Sequence, residues 1–97
     1  MQKFDKNTCQ CEAEVFKALG HPTRLWIVKQ LADGREHCVC EFVEAVGVQF
    51  ATISQHLAIL RQAGILESDK RGQSVYYRLS CPCIIDTLKC LTGKKSN

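Results

Sequence analysis

The clearest structural signal in this sequence is the run Ala51-Thr52-Ile53-Ser54-Gln55-His56-Leu57-Ala58-Ile59-Leu60-Arg61-Gln62-Ala63-Gly64-Ile65-Leu66. Ile53, Leu57 and Leu60 recur at i, i+4 and i+7, which predicts a helix with one buried face, and Gly64 ends it. The opposite face carries small or hydrogen-bonding side chains: Thr52, Ser54, Gln55, Ala58 and Gln62. A helix with such an outer face can lie in the major groove of DNA and contact base edges.

Helix and strand patterns surround this run. The predicted helices cover residues 12–19, 22–33, 40–46, 51–63 and 82–91, and the predicted strands cover 65–68 and 74–79, joined by a polar turn at 70–73. In the second helix, Leu25, Val28, Leu31 and Ala32 form the apolar stripe. Trp26 and Ile27 lie outside it, and we expect them to pack against a neighbouring helix or subunit. Two short helices followed by a hairpin predict a winged helix-turn-helix, a mainly α fold with a small β-hairpin.

The predicted organisation is one domain over residues 12–92, with a flexible N-terminal arm (1–11) and a frayed tail (93–97). The candidate DNA contacts are Thr52, Ser54, Gln55, His56 and Gln62 on the helix, and Lys70, Arg71, Gln73 and Arg78 on the hairpin. His56 lies about 60° from the centre of the apolar face, so a histidine packed at the helix boundary is the competing interpretation. Charged hairpin tips are often merely solvated, but this one directly follows the DNA-reading helix, which favours phosphate or minor-groove contacts.

Composition and charge exclude several classes of protein. The 97 residues are 45% hydrophobic and 24% charged with a net charge of +3, which is typical of one globular domain and compatible with nucleic acid. No apolar run approaches the ~20 residues that cross a bilayer, and the polar start does not resemble a signal peptide. We therefore expect a cytoplasmic protein without a membrane partner. The sequence contains no C-x-x-C motif, phosphate loop or nucleophile–base arrangement, so we do not expect an enzyme.

Seven cysteines are the unusual feature of the composition. Six form the pairs Cys9-Gln10-Cys11, Cys38-Val39-Cys40 and Cys81-Pro82-Cys83, and Cys90 stands alone. An odd count without a secretion signal predicts reduced thiols. Any single cysteine could be a small core residue, but that explanation fits three C-x-C pairs poorly. Thiolates prefer soft ions such as Zn(II), Cd(II), Pb(II) and As(III).

Helix geometry limits how these cysteines can share an ion. Residues two apart on a continuous helix diverge by about 200°, so Cys38 and Cys40 chelate only if Cys38 precedes the helix. The positive helix end would then stabilise their thiolates. Cys83 and Cys90 lie about 10 Å apart along one helix, too far for one ion. If the last helices pair antiparallel in a dimer, Cys81 and Cys83 of one chain could meet Cys90 of the other.

Three segments, residues 16–25, 51–66 and 72–79, together resemble the ArsR/SmtB family of bacterial metal-sensing repressors. The resemblance covers about residues 12–85. It implies a homodimer formed by the first and last helices, with two recognition helices in successive major grooves of a near-palindromic operator. It also implies release from this double-stranded DNA when an inducer ion binds. The family often has Asp at position 21 and Ser at position 49, so His21 and Gln49 predict weaker helix caps.

The segment Glu36-His37-Cys38-Val39-Cys40-Glu41-Phe42 resembles the box that carries inducer ligands in the arsenic, cadmium and lead sensors of this family. Arsenic sensors have a third thiolate three residues after the second, where this chain has Val43. Cadmium and lead sensors complete the site with cysteines of the N-terminal arm, which here implies Cys9 and Cys11. The implied primary site is therefore Cys38, Cys40, Cys9 and Cys11, and the inducer is As(III), Cd(II), Pb(II) or Zn(II). Cys81, Cys83 and Cys90 form a second candidate site, possibly between subunits, where the zinc sensors use harder ligands.

Two other interpretations of the cysteines stay open. A thiol-redox or persulfide sensor on the same scaffold would form disulfide or polysulfide links instead of binding an ion. Because a C-x-C disulfide closes a strained small ring, we expect such links to join different segments. Alternatively, the thiolates hold structural zinc and the inducer is another molecule.

Overall fold

The computed structural model describes residues 1–93, so the predicted tail 93–97 lies outside the described residues except for Gly93. The helices are α1 (Gln10–Leu19), α2 (Pro22–Gln30), α3 (Val39–Val46), α4 (Phe50–Gln62) and α5 (Cys83–Thr92), with a 3-10 turn at Leu31–Asp33. The strands are β1 (His37–Cys38), β2 (Leu66–Arg71) and β3 (Ser74–Leu79). The winged helix-turn-helix prediction is confirmed. Three boundaries differ by more than one residue: α1 begins within the predicted arm, α2 ends at Gln30 and not at Asp33, and β2 extends to Arg71.

The helix-turn-helix consists of α3, a short turn and α4. Gly47 ends α3 with φ 78°, a left-handed conformation that glycine adopts without steric cost, and its N–H donates to the Val43 carbonyl at 3.0 Å. Gln49 precedes α4, and its side chain makes no capping hydrogen bond, as predicted. The turn sets α4 against α2 and α3.

The core forms around α4. Ile53, Leu57 and Leu60 are each 0% exposed, which confirms the predicted buried face. The predicted apolar stripe of α2 was wrong at Ala32, which is exposed. Ile27, expected to pack against a neighbouring helix or subunit, is fully buried. Since α1 and α4 both contact α2, its buried residues do not follow a single stripe.

A three-stranded antiparallel sheet completes the fold, in the order β1-β3-β2. Strand β1 was not predicted, because two residues are too short to show an alternating pattern. In this strand His37 pairs with Tyr77 and Cys38 pairs with Tyr76. The cysteine box is therefore joined directly to the hairpin.

The first and last helices flank this centre. Only Ala18 and Leu19 of α1 are buried, and no residue of α5 is buried. Ile84, Ile85 and Leu88 of α5 are partly buried against the core. Phe16 of α1 and Leu91 of α5 are exposed large apolar residues. Both helices thus leave apolar surface uncovered in the single chain. Within residues 1–93, no helix combines the length and apolar character that a membrane span requires.

Candidate DNA-binding surface and cysteine sites

The outer face of α4 presents the polar residues expected of a DNA-reading helix. Thr52, Gln55 and Gln62 are exposed, and Ser54 is partly buried. These residues lie on the side of α4 opposite its buried face, so their hydroxyl and amide groups can donate to and accept from base edges.

His56 occupies a different environment. It is partly buried, its Nδ1 accepts a hydrogen bond from Arg24 Nη1 at 3.2 Å, and its ring centre is 4.6 Å from that of His21. Burial lowers the pKa of His56, and electrostatic contributions from His21 and Arg24 lower it further. In the single chain this setting matches the competing interpretation, a histidine packed at the helix boundary.

His21 itself caps α2. Its Nδ1 accepts a hydrogen bond from the Thr23 N–H at 3.1 Å. The prediction that His21 weakens this cap was therefore wrong, because an imidazole nitrogen supplies the acceptor that an Asp carboxylate would supply.

Two of the four hairpin candidates are bound to carboxylates. Arg71 Nη2 donates to both carboxylate oxygens of Glu36, at 2.7 and 2.9 Å, and Arg71 Nε donates to Asp69 at 3.1 Å. Glu36, and then Asp69, raise the pKa of Arg71 further above its usual range. Arg78 Nη2 donates to Glu67 at 2.9 Å, and its Nη1 lies 3.5 Å from Glu36.

The remaining hairpin candidates, Lys70 and Gln73, are exposed. The three carboxylates that hold the arginines were not predicted from the sequence. For Glu67 and Asp69 a signal existed, because they alternate on the strand that ends at Arg71 and so share its face. For Glu36 no local signal existed, because it meets Arg71 across 35 positions of sequence.

The Cys38–Cys40 pair meets the geometric condition for chelation. Cys38 precedes α3 as its N-cap and Cys40 lies in the first turn, which places the two sulfurs 2.6 Å apart. The Cys40 N–H donates to Cys38 Sγ at 3.4 Å, and the Cys38 N–H donates to the Glu41 carboxylate at 2.8 Å. This is a capping box in which a sulfur takes the usual place of a hydroxyl. Glu41, three residues after Cys38, is the sequence signal from which this capping box could have been predicted.

Charged groups surround this pair. His37 lies 2.9 Å from Glu41 and 2.7 Å from Asp33, and these hydrogen bonds raise the pKa of His37, although burial opposes the rise. The hydrogen bond to Cys38 raises the pKa of the Cys40 thiol, with further contributions from burial and from Glu41. In the metal-free chain the neighbouring sulfur thus opposes the expected stabilisation of the Cys40 thiolate by the helix end.

The other predicted ligands do not join this pair within one chain. Cys9 is the N-cap of α1, Cys11 lies in its first turn, and both are exposed. Across residues 1–93 of a single chain, no group of three His, Cys, Asp or Glu side chains is arranged to hold a metal ion. A site with three or four thiolates therefore requires movement of the arm or a second chain.

Cys81 and Cys83 form a disulfide, and Cys90 lies exposed in the last turn of α5. Two expectations are corrected here, because these two cysteines are not reduced and their link lies within one C-x-C segment. Their Cα atoms are 5.4 Å apart, within the range that disulfides span. In this state neither sulfur is available as a thiolate ligand.

The family model described as "Bacterial regulatory protein, arsR family" matches residues 21–68, from the cap of α2 into β2. The chain belongs to the ArsR family. It is 43% identical over 77 residues to an uncharacterised HTH-type transcriptional regulator of Methanocaldococcus jannaschii, covering 79% of this chain and 81% of that protein. It is 45% identical over 67 residues to the arsenical resistance operon repressor of Escherichia coli, and the match covers 69% of this chain and 57% of that repressor. The chain thus spans little more than half of that repressor.

A solved structure supports the same assignment. The homodimeric winged helix-turn-helix DNA-binding domain Mb0332 of Mycobacterium bovis, a possible ArsR-family transcriptional regulator, superposes with a TM-score of 0.77 at 26% identity, covering 95% of this chain and 86% of that one. A second, short model, described as a CXCXC repeat, matches residues 1–12, which include Cys9 and Cys11. ArsR-family proteins are transcriptional regulators, so the prediction that the chain is not an enzyme is confirmed.

Proposed function

We propose that this ArsR-family chain binds operator DNA as a homodimeric repressor and is released when a thiophilic ion binds Cys38 and Cys40. The observation that carries the proposal is the 2.6 Å approach of these two sulfurs at the start of α3, the helix directly before α4. An ion bound there acts on the helix-turn-helix itself.

The donor set fits a soft ion. Tetrahedral ligands with metal–sulfur bonds of about 2.3 Å lie about 3.8 Å apart. The two sulfurs, now 2.6 Å apart, therefore need to separate by only about 1 Å to share one ion. Sulfur selects As(III), Cd(II), Pb(II) or Zn(II) over hard cations. Cys9 and Cys11, of the same chain or of a partner, supply the remaining thiolates. Similarity to an arsenical resistance repressor makes arsenite the first ion to test.

DNA contact is assigned to the outer face of α4 and to the hairpin. Thr52, Ser54, Gln55 and Gln62 would meet base edges, and Lys70 and Gln73 would meet the backbone. Arg71 and Arg78 would join them after leaving their carboxylate partners. His56 would support α4 from its partly buried position and contact DNA only from the edge of the helix.

Dimerisation is assigned to α1 and α5. Their uncovered apolar residues include Phe16, 59% exposed, and Leu91, 64% exposed. A second copy is the occupant that this surface fits, and the Mycobacterium bovis domain that the chain resembles is homodimeric. After reduction, Cys81 and Cys83 of one chain could meet Cys90 of the other and form the second, interfacial ion site.

Release requires an ion that binds the DNA-free conformation more tightly than the DNA-bound one. Chelation replaces the sulfur–hydrogen contacts that now cap α3 with bonds to the ion. Because α3 packs against α4, a shift of α3 changes how α4 is presented to the operator. In a dimer, such a shift alters the spacing of the two α4 helices, so that they no longer fit the two half-sites of the operator.

The test uses Cys38→Ser and Cys40→Ser, with the double variant Cys81→Ser/Cys83→Ser as a matched C-x-C control. The probe is the fluorescent duplex that the wild-type protein selects from a random pool. Arsenite, Cd(II), Pb(II) and Zn(II) are titrated while anisotropy and thiolate-to-metal absorbance are recorded. Wild type and control should release DNA, whereas the single variants should bind it normally and stay bound. Because the loss of an outer-shell partner alone typically costs about 10- to 100-fold in metal affinity, the loss of a direct ligand should cost at least about 100-fold.

Unchanged release in Cys38→Ser or Cys40→Ser would refute the assignment of the ion site. Release by peroxide or persulfide, but by none of the four ions, would instead support the redox-sensing alternative. Tightly held zinc whose removal does not change DNA affinity would support a structural role for the metal.

A further inference from the structure

The hairpin arginines face competition for DNA phosphate from within the protein. Glu36, Glu67 and Asp69 hold Arg71 and Arg78 at distances from 2.7 to 3.5 Å. The three carboxylates balance the charges of Lys70, Arg71 and Arg78. Phosphate must therefore displace a carboxylate to reach either arginine.

Glu36 differs from the other two carboxylates. Glu67 and Asp69 belong to β2, within the hairpin, whereas Glu36 directly precedes β1. Glu36 contacts both arginines, and its side chain is 32% exposed, against 51% for Glu67 and 50% for Asp69. Because it is the least solvated of the three, its charge is the least screened by water.

The sheet register connects Glu36 with the cysteine box. Residues opposite each other in an antiparallel sheet point to the same face. Cys38 lies opposite Tyr76, so these two residues belong to one face of the sheet. Glu36 precedes Cys38 by two residues and therefore belongs to the same face. The Arg71 guanidinium lies on that face, 5.1 Å from the centre of the Tyr76 ring. An ion ligand and the arginine network thus share one side of a three-stranded sheet.

We infer that Glu36 competes with operator phosphate for Arg71 and Arg78, and that it couples ion binding at Cys38 to the hairpin. The inference rests on the function proposed above. Ligation of the ion fixes Cys38 and with it the short strand β1, which begins next to Glu36. The fixed strand favours the pairs between the Glu36 carboxylate and the two arginines. DNA favours the opposite state, in which the arginines reach phosphate. Ion binding and DNA binding therefore each lower the affinity for the other, and both act through the Glu36 side chain.

The experiment compares Glu36→Gln with the double variant Glu67→Gln/Asp69→Asn. Both remove carboxylate charge from the arginines, but only the first acts on the residue joined to β1. Affinity for the selected duplex is measured between low and high NaCl, with and without Cd(II) or arsenite, and circular dichroism verifies folding.

Both variants should bind DNA about threefold to tenfold more tightly at low salt, since exposed ion pairs are individually weak. One or two added phosphate contacts should steepen the slope of log K against log salt by about 1 to 2. Only Glu36→Gln should reduce the fold-change in affinity that the ions cause, by about threefold or more. The double variant should keep the wild-type response.

Wild-type affinity and salt slope in Glu36→Gln would overturn the competition, and weaker binding would show instead that Glu36 positions the arginines for DNA. An equal loss of ion response in both variants would overturn the link through β1. A wild-type protein that selects no duplex, or that no ion releases, would refute the proposed function and this inference with it. Normal release in both wild type and Glu36→Gln would overturn the inference alone.

Discussion

The segments Cys9-Gln10-Cys11-Glu12 and Cys38-Val39-Cys40-Glu41 have the same C-x-C-E pattern, and each begins a helix. Their surroundings differ. At α3 the Cys38 and Glu41 side chains complete a capping box, whereas Cys9 makes no side-chain capping hydrogen bond at α1. Val39 is 5% exposed within the core, whereas Gln10 is exposed to solvent.

The difference shows that cysteine spacing alone does not define a sensing site. The residue between the two cysteines decides whether the pair is attached to the core, and β1 attaches Cys38 to the hairpin as well. An ion bound at the attached pair can act on α4 and the hairpin. An ion bound only at Cys9 and Cys11 would act on one end of α1.

The largest expected difference concerns the residue between the cysteines. Val39→Ala should lower the free energy of unfolding by about 2 kcal/mol, because two buried carbons are lost and a cavity is left. Gln10→Ala should change it by less than about 0.5 kcal/mol, since the side chain is exposed and alanine favours helix. Urea unfolding followed by circular dichroism measures both.

Because a dimer gains apparent stability with concentration, the two variants and the wild type are unfolded at several matched protein concentrations. Equal destabilisation by Val39→Ala and Gln10→Ala would show that both pairs are attached to the core, contrary to the structure. A small effect of Val39→Ala would mean that the α3 pair is attached chiefly through β1.

The parts of the fold that were predicted correctly have strong local patterns. α4 is long and buries one face, so its spacing identified Ile53, Leu57 and Leu60. α2 is covered from more than one side, so no single stripe identified Ile27. β1 has two residues and forms only because β3 lies beside it, which no local pattern reveals.

The candidate site was predictable to a similar degree. The requirement that Cys38 precede the helix followed from helix geometry and was met. The partners of Arg71 and Arg78 depend on how long side chains reach between strands, which spacing does not specify. The Cys81–Cys83 disulfide was missed because ring strain was weighed without the local backbone, which brings the two Cα atoms to 5.4 Å.

The capping glutamates should show a smaller difference. Glu41→Ala should lower the free energy of unfolding by about 1 kcal/mol, because the Cys38 N–H loses its acceptor and the capping box is broken. At α1, Glu12→Ala should lower it by at most about 0.5 kcal/mol, the value of an acidic residue near a helix N-terminus. The same urea measurements apply, and losses of equal size would indicate that α1 is capped in solution as α3 is.

The smallest expected effect comes from exchanging the capping sulfur for a hydroxyl. Cys9→Ser should raise the free energy of unfolding by up to about 0.5 kcal/mol, because serine is a preferred N-cap and Cys9 makes no capping bond now. Cys38→Ser should change it less, since Cys38 Sγ already accepts the Cys40 N–H. Amide hydrogen exchange in the first turns of α1 and α3 resolves changes of this size. Greater protection of α3 than of α1 by these substitutions would mean that the sulfur at Cys38 contributes little to the cap, and that Val39 and β1 hold this segment in place.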